Sequence, residues 1–219
     1  MSNQPYFEEQ KEDIKEHHKN GYRRIEEWYT TPKPVQERHQ SLKEAPHKIL
    51  LVRAGSFVKC ALRFRQDTQE TMEEGPGSRE YHDILLAIGT ELLLNAAILK
   101  TDHDYYFDKS SPEQTINFTD AREKLCSIVQ PDLTEDQMRR LNLVLDIIKL
   151  HRDEAVHFGI YKTDHPAPAI ESYNVLIYLF NRFGEEQRDV IEQLNQQHEK
   201  DQRTHGDMPY KQVEFPSPE

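Results

Sequence analysis

Two cysteines, eight glycines and a single tryptophan among 219 residues remove several common architectures at once. Cys60 and Cys126 lie too far apart for a metal knuckle and are too few for a disulfide framework, which suits a reducing compartment. No glycine-rich phosphate loop and no zinc-finger spacing occurs, and no Cys or Ser stands in a nucleophile setting. Long apolar runs are missing too. The chain is 36% hydrophobic and 31% charged, and its greasiest stretch, Ile84 to Leu99, already holds Thr90, Glu91 and Asn95, so no membrane span is expected. The N-terminal MSNQPYFEEQKED is acidic and polar where a signal peptide is basic and then apolar, so a cytoplasmic location is expected. Positive charge is in deficit: 28 Lys and Arg face 39 Asp and Glu, a formal charge of -11. That balance excludes a surface coated in nucleic acid and leaves room only for a small, local basic site. The length suffices for one sizeable domain with an appendage, or two small ones.

What is present is helical. Twelve prolines leave gaps after Pro46, Pro76, Pro131 and Pro168, and four long helices fit those gaps. The first follows Pro46 and carries Ile49, Leu50, Val52, Phe57, Ala61, Leu62 and Phe64 up to the breaker Glu-Glu-Gly-Pro-Gly at 73–77. The second, from about Arg79 to Lys100, is nearly apolar all round and marks a central buried helix. A short helix near Thr119 to Val129 ends at Gln130-Pro131. Thr134-Glu-Asp-Gln137 is a capping box opening the third long helix, with Leu141, Val144, Leu145 and Ile148 at helical spacing. The fourth begins near Ala167, carries Ile170, Tyr173, Ile177 and Phe180, and is expected to continue past Gly184 toward Leu194. No alternating strand pattern competes. The expected architecture is an all-α up-and-down bundle over 42–196. A helical arm over 1–41 docks through Ile25, Trp28 and Tyr29, and a flexible polar tail covers 197–219.

The third long helix breaks its own pattern. Its apolar stripe predicts inward positions at 151, 152 and 155, yet the chain reads His151-Arg152-Asp153-Glu154-Ala155-Val156-His157. A guanidinium on an apolar stripe needs a carboxylate, a phosphate or a partner chain, or must snorkel to the rim. The central helix repeats the anomaly with Glu91 and Asn95, one turn apart on one face. Glu91 is the economical partner for Arg152, and the pair would hold the guanidinium in one pose. Asp153 and His157 are also one turn apart, so the aspartate could hold one imidazole nitrogen and free the other. Arg152 and His157 are five apart, about 140° round an ideal helix. They converge only if the arginine reaches across, the helix ends near Phe158-Gly159, or a second copy supplies the missing half. Lys149, His151, Arg152, His157 and Lys162 together read as a local cationic edge. Thr101-Asp-His-Asp104 and His17-His18 lack metal-ligand spacing and read as solvated helix ends; Tyr105-Tyr106-Phe107 reads as a packing plug.

Arg152-Asp-Glu-Ala-Val-His157 resembles the signature of the HEPN superfamily: an arginine, a polar residue after it, four to six residues in all, then a histidine. The setting is similar as well. Gly89-Thr-Glu-Leu-Leu-Leu94 matches that family's greasy central helix, and Tyr81-His82-Asp83 and Ile116 to Leu125 share its character. The likeness spans roughly residues 42–185. It implies a metal-independent endoribonuclease with no cofactor, in which two protomers line one cleft and the 2′-hydroxyl attacks the adjacent phosphate. His157 would be general base or acid, Arg152 would clamp the scissile phosphate, Asp153 would hold the imidazole, and Glu91 and Asn95 would support them. The ends left are a 2′,3′-cyclic phosphate and a 5′-hydroxyl. The implied biology is a toxin or defence effector acting on RNA as a homodimer, with an antitoxin or regulatory protein as a further partner and no membrane. The alternative is a catalytically silent HEPN-like module that binds a partner protein or nucleotide.

Overall fold

Helix starts and stops in this chain follow from its prolines and caps. The computed structural model describes residues 4–30, 45–71, 78–111, 115–158, 166–184, 186–204 and 213–216, with side chains from 11, 45–65, 81, 115–153, 170 and 186 onward within those spans. Eight α-helices cover most of them: α1 (Gln4–Thr30), α2 (Pro46–Thr71), α3 (Ser78–Thr101), α4 (His103–Lys109), α5 (Phe118–Val129), α6 (Glu135–Phe158), α7 (Pro166–Phe183) and α8 (Arg188–Thr204), with a 3-10 turn at Gln130–Asp132. The fold is all-α. Pro46 opens α2, where its missing N–H costs nothing. Asn117 caps α5 by accepting from the Asp120 amide at 3.0 Å. The capping box forms in both directions: the Thr134 amide donates to Gln137 Oε1 at 2.8 Å and the Gln137 amide to Thr134 Oγ1 at 3.4 Å. The breaker at 73–77 lies outside the described residues.

α3 is the central element, packed against α2, α4, α5, α6 and α7. Leu93, Leu94 and Ala96 to Leu99 are buried on it, and each fully buried leucine or isoleucine contributes about 1.5–3 kcal/mol. A Cβ on Gly89 would lie 2.9 Å from Val58 Cγ2 and 3.1 Å from the Ala54 carbonyl oxygen, so α2 and α3 meet more closely there than alanine allows. The segment Tyr81–Thr101 is long and apolar enough, by length and composition, to cross a membrane, which corrects the expectation that no stretch could; most of it is buried inside the bundle. Its two charged side chains before Lys100, Asp83 and Glu91, are few enough to pass that test.

Two further expectations change. The fourth long helix does not run through to Leu194. It stops at Phe183; the Gly184 amide donates to the Phe180 carbonyl at 2.7 Å, the Gln187 amide to the Gly184 carbonyl at 2.7 Å, and a new helix starts at Arg188. That turn lets Val190 and Leu194 pack back onto α2 as well as α7. Second, the polar tail does not begin at 197. α8 continues to Thr204 with Gln197 and Asp201 buried, because their polarity is used internally: Gln197 Nε2 donates to Asp201 Oδ1 at 2.8 Å and Arg65 Nη2 lies 3.5 Å from Asp201 Oδ2. Further on, Phe215 stacks on Tyr178 with centroids 5.1 Å apart, and Asn174 Nδ2 and Gln137 Nε2 donate to the Val213 and Glu214 carbonyls. Thr101 to Asp104 is the helix end expected, with Thr101 and Asp104 exposed where α3 stops and α4 starts. Asp102 caps α4 by accepting from the Tyr105 amide at 3.1 Å.

The arm docks as expected through Ile25 and Tyr29, which pack on the core, and through the aromatic plug: Tyr22 and Tyr29 approach Phe107 at 5.6 and 6.2 Å, and Tyr29 stacks on His103 at 5.2 Å. Cys60 and Cys126 are unpaired.

Glu171 on α7 carries a pH prediction. It is 3% exposed and neither carboxylate oxygen has a hydrogen-bond partner. Burial pushes its carboxyl above the ordinary value, opposed by the charge of Arg140 and the nearby Asn174 amide. A raised folded pKa means the favourable protonated form is fully present below the unfolded value and lost as pH climbs through the folded one. Glu171→Gln therefore raises Tm at pH 7, by about 2–4 °C for each kcal/mol recovered in a chain of this length. The gain shrinks to nothing near pH 4, as thermal melts at the two pH values will read.

Candidate functional site

α3, α5 and α6 bring the site together. Arg152, near the end of α6, donates from Nη1 to Glu91 Oε2 on α3 at 2.9 Å. Its Nε and Nη2 both donate to Asp153 Oδ1, at 3.0 and 2.8 Å. The Phe118 ring at the start of α5 lies beneath the guanidinium, 5.9 Å from centroid to Cζ. The contact expected between Glu91 and Arg152 is formed, and it meets the desolvation problem that the apolar stripe posed. The arginine side chain is 25% exposed, and three of its five N–H bonds are taken. Two remain without a partner among the described residues, one on each terminal nitrogen.

Asp153 binds both neighbouring cations; the expected contact with the His157 imidazole lies outside the described residues. Its Oδ1 is the arginine's, and its Oδ2 accepts from Lys149 Nζ at 2.8 Å. Burial pushes this carboxyl up, but hydrogen bonds from Lys149 and Arg152, with their charges, outweigh it and hold the group below the usual carboxylate range. The i, i+4 lysine wins because it reaches the carboxylate from one turn below, on the same face. Lys149 and Arg152 thus face Glu91 and Asp153, two cations against two carboxylates. The cationic edge read from the chain is neutralised here, and Lys162 lies outside the described residues.

Asn95 is one turn beyond Glu91, 3% exposed, with Oδ1 unpartnered; no contact joins it to Arg152. His157 lies within α6, which stays helical to Phe158, so the angular separation of about 140° from Arg152 holds for the backbone. Its side chain is outside the described residues. No family model, curated protein or solved structure matches the chain.

Beside the arginine runs a second polar line, of which the sequence reading singled out only pieces. Tyr173 Oη on α7 is 2.9 Å from His82 Nε2, and His82 Nδ1 is 2.7 Å from Asp83 Oδ1. Asp83 Oδ2 then lies 3.6 Å from Nδ1 of His151, the residue preceding Arg152. A carboxylate can only accept, so with neutral His82 the proton sits on Nδ1 and Nε2 accepts from the tyrosine hydroxyl. The line ties α3, α6 and α7 together at the level of the arginine. The signal in the sequence was a histidine and an aspartate at the apolar helix's entry and a tyrosine inside another apolar run. Among the described residues no three His, Cys, Asp or Glu side chains gather as a metal site requires.

Proposed function

We propose that the chain is a HEPN-like up-and-down bundle and a metal-independent endoribonuclease acting as a homodimer. The observation that carries this reading is the pose of Arg152. Glu91, Asp153 and Phe118 hold its guanidinium on three sides, two N–H bonds remain for an incoming acceptor, and His157 follows five residues later on the same helix. A pre-set guanidinium stabilises charge developing on a phosphate without reorganising during the reaction. The angle between Arg152 and His157 supports a composite cleft, each protomer giving one half. His157 takes the 2′-hydroxyl proton or returns one to the leaving oxygen; Arg152 binds the phosphate. A toxin or defence role belongs to the same proposal.

A second reading, the silent module that binds a protein or nucleotide, is favoured by one specific observation: the two carboxylates around Arg152 and Lys149 cancel the local charge an RNA phosphate would seek. Incubating purified protein with RNA in excess chelator separates the two. Ribonuclease activity gives fragments with 2′,3′-cyclic phosphate and 5′-hydroxyl ends, lost in Arg152→Ala and His157→Ala. No cleavage of any RNA by the wild type selects the silent module, and cleavage that survives both substitutions removes this site.

A further inference from the structure

The four residues Val213 to Pro216 lie on the bundle as a peptide lies on a receptor. Val213 and Phe215 are half-buried while Glu214 and Pro216 are exposed, the alternation that an extended backbone gives. Pro216 itself keeps Phe215 out of the helical region. Successive carbonyls of an extended chain point to opposite sides, and two helices meet them. Asn174 Nδ2 on α7 donates to the Val213 carbonyl at 2.8 Å, and Gln137 Nε2 on α6 donates to the Glu214 carbonyl at 2.6 Å. Phe215 then stacks on the buried Tyr178, with centroids 5.1 Å apart and planes 26° from parallel. The register agrees along the groove: Asn174 to Tyr178 is about 6 Å of α7, and Val213 to Phe215 is about 6.6 Å of extended chain. We propose that this groove between α6 and α7 is a peptide-docking site that takes the Val213–Pro216 segment of a second copy, so that two chains exchange tails.

Two features favour exchange over a segment fixed in its own chain. Every contact is made to a main-chain carbonyl or to one ring, by residues 39 and 77 positions away in the case of the two amides, so none depends on which chain carries the tail. Eight residues, 205–212, join the segment to the end of α8 at Thr204, a length that spans about 30 Å when extended. Asn174, moreover, is contested. Its amide also lies near the Glu171 carboxyl, a buried group whose two oxygens have no hydrogen-bond partner while the tail is in place. Departure of the tail frees the amide for that carboxyl, which offsets part of the cost of undocking and leaves the segment loosely held. Reciprocal exchange fills both grooves and closes the pair. Gln137 and Arg152 are fifteen residues apart on α6, about 22 Å, so the groove is distinct from the arginine site and stands without the ribonuclease reading.

The test uses the full chain in two arms. In the first, a fluorescein-labelled peptide of residues 208–219 is titrated with Phe215→Ala, whose groove its own tail no longer fills. Anisotropy is expected to show one saturable site, at least tenfold weaker in the wild type, where the tethered tail competes at an effective concentration of the order of millimolar. The same peptide carrying Phe215→Ala is expected to lose at least tenfold, since it lacks the ring that meets Tyr178. In the second arm Phe215→Ala is mixed with Asn174→Leu, which keeps its tail and loses the donor of the groove. Asn174 is half-buried and leucine is a good helix former, and circular dichroism checks that the fold is kept. Sedimentation is expected to show the mixed pair associating about tenfold more tightly than either variant with itself, because only the mixture joins an intact tail to an empty, intact groove.

Absence of saturable binding to Phe215→Ala up to about 1 mM overturns the proposal. So does wild type binding the peptide as tightly as Phe215→Ala, or equal association in the mixture and in each variant alone. Arg152 and His157 are unaltered in every chain, so a dimer through their cleft adds equally to all three samples. RNA cleavage does not enter the readout, and the two proposals fail independently.

Discussion

Under the proposed ribonuclease reading, His157→Ala is expected to lower RNA cleavage by about 10²–10⁴-fold while leaving RNA affinity nearly unchanged, since general acid–base catalysis contributes about that factor and the imidazole would contact a proton in flight rather than a standing charge. Arg152→Lys behaves differently. It keeps the charge but loses the planar fork that meets Glu91 and Asp153 together, so a phosphate clamp would lose both binding and rate. A composite cleft adds a sharper outcome. Mixing the dead Arg152→Ala and His157→Ala chains is expected to restore about a quarter of wild-type activity, because half of the dimers are mixed and one of the two cross-chain Arg–His pairs lining each cleft is intact. No recovery on mixing, with exchange of subunits verified, excludes a cleft built from two chains. The neutral surroundings of Arg152 limit the footprint to one or two phosphates, so log affinity falls against log salt with a slope between about -0.7 and -1.4 for single strands. A steeper slope contradicts this small footprint.

The Arg152–Glu91 contact was legible before any coordinates because two polar residues interrupted two apolar stripes, and a charge on a stripe needs a partner on a facing stripe. The same logic reached the helix starts, where Pro46 and the Thr134–Gln137 box act locally. It failed where polar residues pair within a single patch. Gln197 and Asp201 read as part of a polar tail, yet Gln197 donates to Asp201, whose other oxygen faces Arg65, and α8 runs on through both. Nor did it single out Lys149 as a donor to Asp153, one turn away on the same helix face. The break at Gly184 was hidden because the apolar period continues across it. Only the need for Val190 and Leu194 to reach α2 decides that the chain turns there.

The largest loss of stability is expected from His82→Ala, about 3–5 kcal/mol. His82 is 4% exposed and holds Asp83 at 2.7 Å and Tyr173 at 2.9 Å. Removing it deletes one hydrogen bond to a charged acceptor, worth about 1.5–3 kcal/mol, and one neutral bond worth about 1 kcal/mol. The void left between α3 and α7 adds to both. In a chain of this length that loss lowers Tm by roughly 6–20 °C. Tyr173→Phe removes the neutral bond to His82, worth about 1 kcal/mol. The double substitution then costs less than the two single changes added together, by about 0.5 kcal/mol or more, as residues in one hydrogen-bonded line do. Simple additivity would break the line from Tyr173 through His82 to Asp83. Because the same line ends on His151, next to Arg152, it also fixes the height at which α6 presents its arginine to α3. Under the proposed ribonuclease reading, loosening it is expected to lower kcat for RNA with little change in KM, the pattern of a misplaced clamp rather than of a lost binding contact.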